Sequence, residues 1–254
     1  LDSINIENTN ICNLECKFCA YSKRDFEKIP HTSMKIDFFE SVVKQCLELG
    51  YKNIGLTPLT GEIFMDQDIF KKFYFLDKLT NFEGYFFYSN FIPLTEDKIR
   101  NILALKKLKN FAISIYGHDE ETFIKFSKGT INSYKKLIKN MNYLLNLLKS
   151  QNHSLNIEIT QRSSQDYSLK ENQSELSEII KKILEFSNVR YSKSHNFNNW
   201  GGAIKEHDIA DLNIKFEKNL VPKTGSCSLI YSRLLIGANG YVNACACRDV
   251  DFTL

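Results

Sequence analysis

Cys12-Asn13-Leu14-Glu15-Cys16-Lys17-Phe18-Cys19 sets three thiols within eight residues at C-x3-C-x2-C spacing. Their number limits what they can do. It is odd, so disulfide pairing does not close the set, and it is one short of the four ligands of a structural zinc site. Three thiolates on a short loop suit three corners of a [4Fe-4S] cluster, leaving one iron open to a further ligand. An open iron points to chemistry rather than scaffolding. The plain alternative is a trio of buried cysteines or a partial metal site. A second group, Cys227, Cys245 and Cys247, lies far downstream as C-x12-G-x4-C-x-C. Cys46 stands alone inside a helical pattern and reads as a small buried hydrophobe.

The elements that must position these thiols alternate short β-rich runs with longer amphipathic stretches. Strands are predicted over residues 3–7, 53–57, 85–90, 111–115, 155–160 and 189–192. Helices are predicted over 35–50, 66–79, 98–108 with Thr95 as N-cap, from 119, over 131–149 and over 175–186. Six β/α units in series imply a parallel sheet with crossover helices. The short, mostly apolar strands fit a sheet covered on both faces. Ligand chemistry in such folds gathers at the carboxyl ends of strands. Periodicity alone allows either an open (β/α)6 barrel or a doubly wound sheet.

The cysteine spacing, on a loop after an N-terminal strand, resembles the signature of the radical S-adenosylmethionine (SAM) superfamily. The resemblance implies an α/β fold: a partial (β/α)6, TIM-like barrel over residues 1–200. It assigns Cys12, Cys16 and Cys19 to a [4Fe-4S] cluster whose open iron is chelated by the amine and carboxylate of SAM. Reductive cleavage of SAM to methionine and a 5'-deoxyadenosyl radical would follow. Phe18, just before the third cysteine, stands where the family places an aromatic residue near the adenine. Thr60-Gly61-Glu62, after the second strand, is similar to the family's Gly-Gly-Glu motif, which holds the methionine ammonium; Thr60 replaces the first glycine. A carboxylate beside carbonyl oxygens makes a charge-assisted site for an ammonium.

Ser114-Ile115-Tyr116-Gly117 and Ser127-Lys128-Gly129 resemble the family's Ser-x-Asp-Gly…Arg-Gly pattern, in which the Ser and Arg contact the methionine carboxylate or ribose. Tyr116 stands where Asp is usual. Lys128 stands where Arg is usual, and keeps the charge without the bidentate fork. Lys128 is therefore either that contact or a surface lysine, and Arg162 is the other candidate for the missing arginine. Asn90 and residues 160–162 reach the same mouth by position.

The downstream cysteines resemble the opening of a SPASM or twitch domain, which carries an auxiliary cluster. Residues 233–236 and 241–242 read as a hairpin around an Asn-Gly turn, bringing Cys227 and Cys245 together. The alternative is a structural zinc hairpin or free thiols. Residues 201–254 are accordingly expected to form a linker and an auxiliary-cluster segment. The chain begins at Leu1, stops after Leu254 and lacks the domain's further cysteines, so a fragment is expected. Residues 194–202, with the only tryptophan, are expected either to line the substrate mouth or to serve as a packed linker. His195 is either a substrate or proton-relay group or a linker histidine; His31, His118, His153 and His207 offer no partner pattern.

Composition agrees with a soluble enzyme. Apolar residues make up 43% and charged residues 25% of the chain, ordinary values for a globular protein. Lys plus Arg number 33 against 30 for Asp plus Glu, a net charge of +3 that gives no argument for nucleic acid. No apolar run approaches the ~20 residues of a membrane-spanning helix. Seven cysteines in clusters favour a reducing, cytoplasmic compartment. The reading from sequence is a radical SAM oxidoreductase or maturase. It would act on a small molecule or peptide, with an auxiliary cluster and a flavodoxin- or ferredoxin-like reductant. A redox-neutral epimerase is the alternative within the family, and a non-catalytic iron–sulfur or zinc electron carrier the alternative outside it.

Overall fold

The computed structural model describes residues 4–57, 59–151, 153–216 and 234–243. Strands β1 (Ile4–Ile6), β2 (Asn53–Gly55), β3 (Gly84–Ser89), β4 (Leu108–Tyr116), β5 (Asn156–Arg162) and β6 (Val189–Ser194) lie side by side in chain order, each parallel to the one before. The crossovers are α1 (Ile36–Glu48), α2 (Ile69–Lys78), α3 (Glu96–Leu103), α4 (Glu120–Ser127), α5 (Ile131–Ser150) and α6 (Glu175–Ile183). This order decides between the two architectures that periodicity left open. A doubly wound sheet reverses its strand order at a switch point. Here the order never reverses across the six units, so right-handed crossovers put every helix on the same face of the sheet.

The two faces differ in chemistry. Successive side chains in a strand point to opposite sides, and the register sorts them into two sets. Ile4, Ile54, Phe87, Phe111, Ile113, Ile157 and Ile159 are buried against the helices. Tyr88, Ala112, Ser114, Tyr116, Glu158, Thr160, Arg162, Ser192 and Ser194 occupy the other face. The expectation of mostly apolar strands covered alike on both faces is corrected: β4 to β6 alternate, and most of their polar positions line the side away from the helices.

Local signals set the helix ends. Thr95 caps α3, its Oγ1 accepting from Lys98 N–H. Asp119 caps α4 in a capping box with Thr122. Between β4 and α4, Gly117 has φ +75°, and a Cβ there would lie 2.6 Å from the Thr122–Phe123 backbone, so only glycine fits. α3 stops at Leu103, earlier than predicted, because β4 begins at Leu108. That start was hidden by exposed Lys109 beside buried Leu108.

Behind the sheet, Lys72 of α2 is fully buried. Its Nζ donates to Asp66 Oδ2 and to the Met34 carbonyl, both at 2.5 Å. Asn8 Nδ2 donates to the same carboxylate oxygen at 3.2 Å. Removing one partner of such a pair leaves an uncompensated buried charge. Asp66→Ala is therefore expected to destabilise the fold by about 3–5 kcal/mol, read as a lower urea midpoint.

The C-terminal elements are short: β7 (Asn196–Phe197) pairs parallel with β8 (Lys215–Phe216), with α7 (Glu206–Ile209) between them. The hairpin of β9 (Leu235–Ile236) and β10 (Val242–Asn243) joins the main sheet, β9 running parallel to β1 through Asn5↔Leu235 and Ile6↔Ile236. Its loop is longer than a two-residue Asn-Gly turn: Gly240 N–H donates to the Gly237 carbonyl and Gly237 N–H to the Tyr241 carbonyl, with Gly240 at φ +88°. Among the described residues, no helix is long and apolar enough to cross a membrane.

Candidate active site

The carboxyl ends of β1 to β6 open onto a chamber of about 380 Å³. Cys12, Cys16 and Cys19 line it together with Phe18, Thr60, Gly61, Glu62, Asn90, Ser114 and Arg162. Thiol loop, acidic loop and strand-end polar groups, separate in sequence, therefore meet in one place.

The cysteine loop is held by backbone bonds to neighbouring elements. Glu15 and Lys17 N–H donate to the carbonyls of Ser127 and Phe126 at the end of α4. Cys19 N–H donates to the Cys16 carbonyl, closing a turn, and a short 3-10 helix (Ala20–Lys23) follows. Tyr21 Oη accepts from Cys12 N–H at 3.2 Å and bonds His31 Nε2 at 3.1 Å, so His31 has a structural partner that its sequence context did not reveal.

Burial raises the pKa of all three thiols, Cys12 to about 12; the Glu62 carboxylate and then Cys19 push Cys12 further up, and Cys19 and Cys12 do the same to Cys16. Arg162 opposes this at Cys16 and Cys19. Three crowded thiols facing a cationic side chain form a donor set that loses its protons when metal arrives. Among the described residues, no three His, Cys, Asp or Glu groups close on a single point in the manner of a mononuclear metal site. The thiols share a chamber wall instead, which suits a polynuclear cluster.

Glu62 is the acidic centre of the site. Its Oε2 accepts from Asn90 N–H at 2.6 Å, and its Oε1 from Ser89 Oγ at 2.7 Å and Phe64 N–H at 3.3 Å. Burial raises its pKa to about 7, against the opposing pull of these donors. Glu62 N–H donates to the Ile11 carbonyl at 2.8 Å, tying the acidic loop to the thiol loop. Asn90 Nδ2 adds a bond to Asn13 Oδ1 at 2.8 Å. Ser89 was not singled out from sequence; its position one residue before Asn90, at the end of β3, is the available signal.

On the opposite wall, Arg162 lies over the rings of Tyr116 (5.9 Å) and Phe18 (6.0 Å), and those rings pack at 5.4 Å. Register explains the grouping, since Tyr116 of β4 pairs with Arg162 of β5. Tyr116, a departure from the expected aspartate, thus becomes a chamber wall. Among the described residues the Arg162 side chain has no carboxylate partner. Trp200 also lines the chamber, its Nε1–H donating to the Phe18 carbonyl at 3.0 Å. Residues 194–202 therefore contribute to the mouth. Thr57, Tyr88, Asn196, Phe197 and Asn198 complete it and were not predicted individually.

Two candidates fall elsewhere. Lys128 does not line the chamber: it is exposed, at φ +53°, at the left-handed C-cap of α4. Of the two arginine substitutes considered, the chamber contains Arg162. His195 is half-buried beside β7 and does not line the chamber. Cys227, Cys245 and Cys247 lie outside the described residues. Cys46 is buried in α1, as expected.

A family profile described as the radical SAM superfamily matches residues 6–157, more than half of the chain. The chain belongs to the radical SAM superfamily. Its similarity to individual members is lower. It is 29% identical over 147 residues to GTP 3',8-cyclase of Clostridium perfringens (strain 13 / Type A), covering 55% of this chain and 44% of that protein. The chain thus spans under half the length of the curated relatives it matches. Among solved structures, Streptococcus suis SuiB bound to the precursor peptide SuiA superposes with TM-score 0.64 at 14% identity, over 96% of this chain and 59% of that one. anSMEcpe with bound AdoMet gives TM-score 0.60 at 14% identity, over 97% of this chain and 74% of that one. At these identities the likeness concerns the radical SAM fold.

Proposed function

We infer that this chain is a radical SAM enzyme that uses a [4Fe-4S] cluster on Cys12, Cys16 and Cys19 to cleave SAM reductively. The observation that carries the reading is one chamber joining three thiols, a buried carboxylate and the Arg162 guanidinium. Glu62, with the carbonyls of its loop, supplies the anion for the methionine ammonium, and Arg162 the cation for the methionine carboxylate. Phe18 provides an apolar surface for the adenine; Ser114 and Asn90 are the polar groups for the ribose and carboxylate. When bound, the cofactor pair supplies a 5'-deoxyadenosyl radical that abstracts hydrogen from substrate. The protein holds the methionyl end between opposite charges and excludes water behind the aromatic wall.

The substrate is a small molecule or a peptide. Among the fold neighbours, SuiB is seen with a precursor peptide and BtrN with 2-DOIA, so related folds accompany both classes. Oxidation or maturation is the favoured net reaction, in which Cys227, Cys245 and Cys247 would hold an auxiliary cluster able to accept the substrate electron. A flavodoxin- or ferredoxin-like protein in a reducing, cytoplasmic compartment would supply the first electron. Anaerobic reconstitution with iron and sulfide, then dithionite and SAM, is expected to yield 5'-deoxyadenosine. An intact cluster that forms none would replace this reading with that of an electron carrier.

A further inference from the structure

Beneath the Thr60–Gly61–Glu62 loop lies a buried ion pair, Glu7 and Arg24, whose side chains are not among those lining the chamber. Glu7 follows β1, and Arg24 follows the 3-10 helix after Cys19. Glu7 Oε1 accepts from Leu59 N–H at 3.1 Å and from Arg24 Nη1 at 3.5 Å. Glu7 Oε2 accepts from Ala238 N–H, in the hairpin turn, at 3.3 Å. The same Arg24 Nη1 donates to Thr60 Oγ1 at 2.9 Å. Glu7, Arg24 and Thr60 are 1%, 6% and 4% exposed, so these bonds form away from solvent.

Stability alone does not account for the arrangement. A buried ion pair roughly breaks even against well-packed apolar residues of similar volume, and its best-attested use is to fix one geometry among several. Here the geometry fixed is that of the acidic loop. Leu59 is held through its N–H and Thr60 through its hydroxyl, three and two residues before Glu62, whose carboxylate must meet Ser89 and Asn90 within 2.7 Å. Thr60 is also the departure from the Gly-Gly-Glu pattern. A glycine there has no side-chain acceptor for Arg24, whereas the threonine hydroxyl supplies one.

We propose that Arg24, anchored by Glu7 and bonded to Thr60, is a positioning residue that sets the Thr60–Gly61–Glu62 loop for the methionyl end of SAM. The proposal rests on the SAM-cleaving reading above. Arg24 acts through the loop and not on the reacting atoms. The Ala238 bond brings the C-terminal hairpin into the same clamp, so the β9–β10 turn and the SAM loop share one carboxylate.

The test uses the full reconstituted chain, reduced and titrated with SAM while the electron paramagnetic resonance signal of the cluster is followed. Thr60→Val removes the hydroxyl at nearly constant volume, and Arg24→Gln removes the charge. In Thr60→Val, cluster content and the signal without SAM should match the parent; Arg24→Gln leaves Glu7 without its counter-charge, so its SAM titration is read per assembled cluster. The SAM concentration for half-maximal change should rise about tenfold or more, as expected for one charge-assisted hydrogen bond. Thr60→Ser should restore it, and the double variant should be no worse than either single one. Thr60→Val within about twofold of the parent, or strictly additive losses, overturns the proposal. A parent signal indifferent to SAM would instead overturn the functional reading, and this proposal with it.

Discussion

Cys16→Ala is expected to abolish 5'-deoxyadenosine formation. Cys16 is buried in the chamber wall between the other two thiols in sequence; burial raises its pKa and Arg162, across the site, opposes the rise only in part. Two remaining thiols cannot fill three corners of a cluster, so iron and sulfide content should fall together with product. Cys46→Ala serves as the control, because that thiol is packed inside α1 and shares only its chemistry with the triplet. Cys245→Ala, altering the downstream group, should leave substrate-independent SAM cleavage largely intact. Product detection by mass spectrometry alongside iron quantification decides the matter. Substantial 5'-deoxyadenosine from Cys16→Ala would remove the cluster assignment.

Glu62→Gln is expected to show the next largest effect, and pH gives it a signature. Burial holds the Glu62 pKa near 7 rather than at the ordinary 4.5. The folded protein therefore binds this proton more tightly than the unfolded chain does. The resulting stability contribution is present at low pH, falls as pH rises from about 4.5, and is lost above about 7. An ammonium ligand requires the ionised form, so SAM affinity moves the other way. Half-saturation by SAM should weaken about tenfold from pH 8 to pH 6 in the parent, the slope of one required deprotonation. Glu62→Gln should bind SAM about 10- to 100-fold more weakly at pH 8, the loss of one strong charge-assisted contact. Its affinity should then be nearly flat over that range. A glutamine variant that keeps the parent's affinity and slope would show that the ammonium is held elsewhere.

Much of this site was legible in the sequence because its signals are local. The spacing of Cys12, Cys16 and Cys19, the Thr60-Gly61-Glu62 turn, and Ser114 at the end of a predicted strand each stand on one short segment. Strand order then carried them to one chamber with no further information. Other features depend on register or on long-range packing. Tyr116 meets Arg162 only because β4 and β5 pair at those positions, and Lys128 misses the chamber because the chain turns left-handed there to end α4. Arg24 and Glu7 are separated by the whole cysteine loop, and nothing in either segment shows that the two side chains meet. The hairpin was visible as two short apolar runs. Its parallel pairing with β1 was not, because the partner strand lies more than two hundred residues away.

Trp200 is the only tryptophan in the chain. Its indole is fastened to the Phe18 carbonyl, one residue from Cys19, on the wall of the thiol chamber. Iron–sulfur clusters absorb across the near ultraviolet and visible range, where indole emits. The protein therefore contains a built-in optical gauge: Trp200 emission is expected to dim when iron and sulfide enter the chamber. Assembly and loss of the metal centre can be followed in real time in the unmodified chain, without a dye or an engineered label.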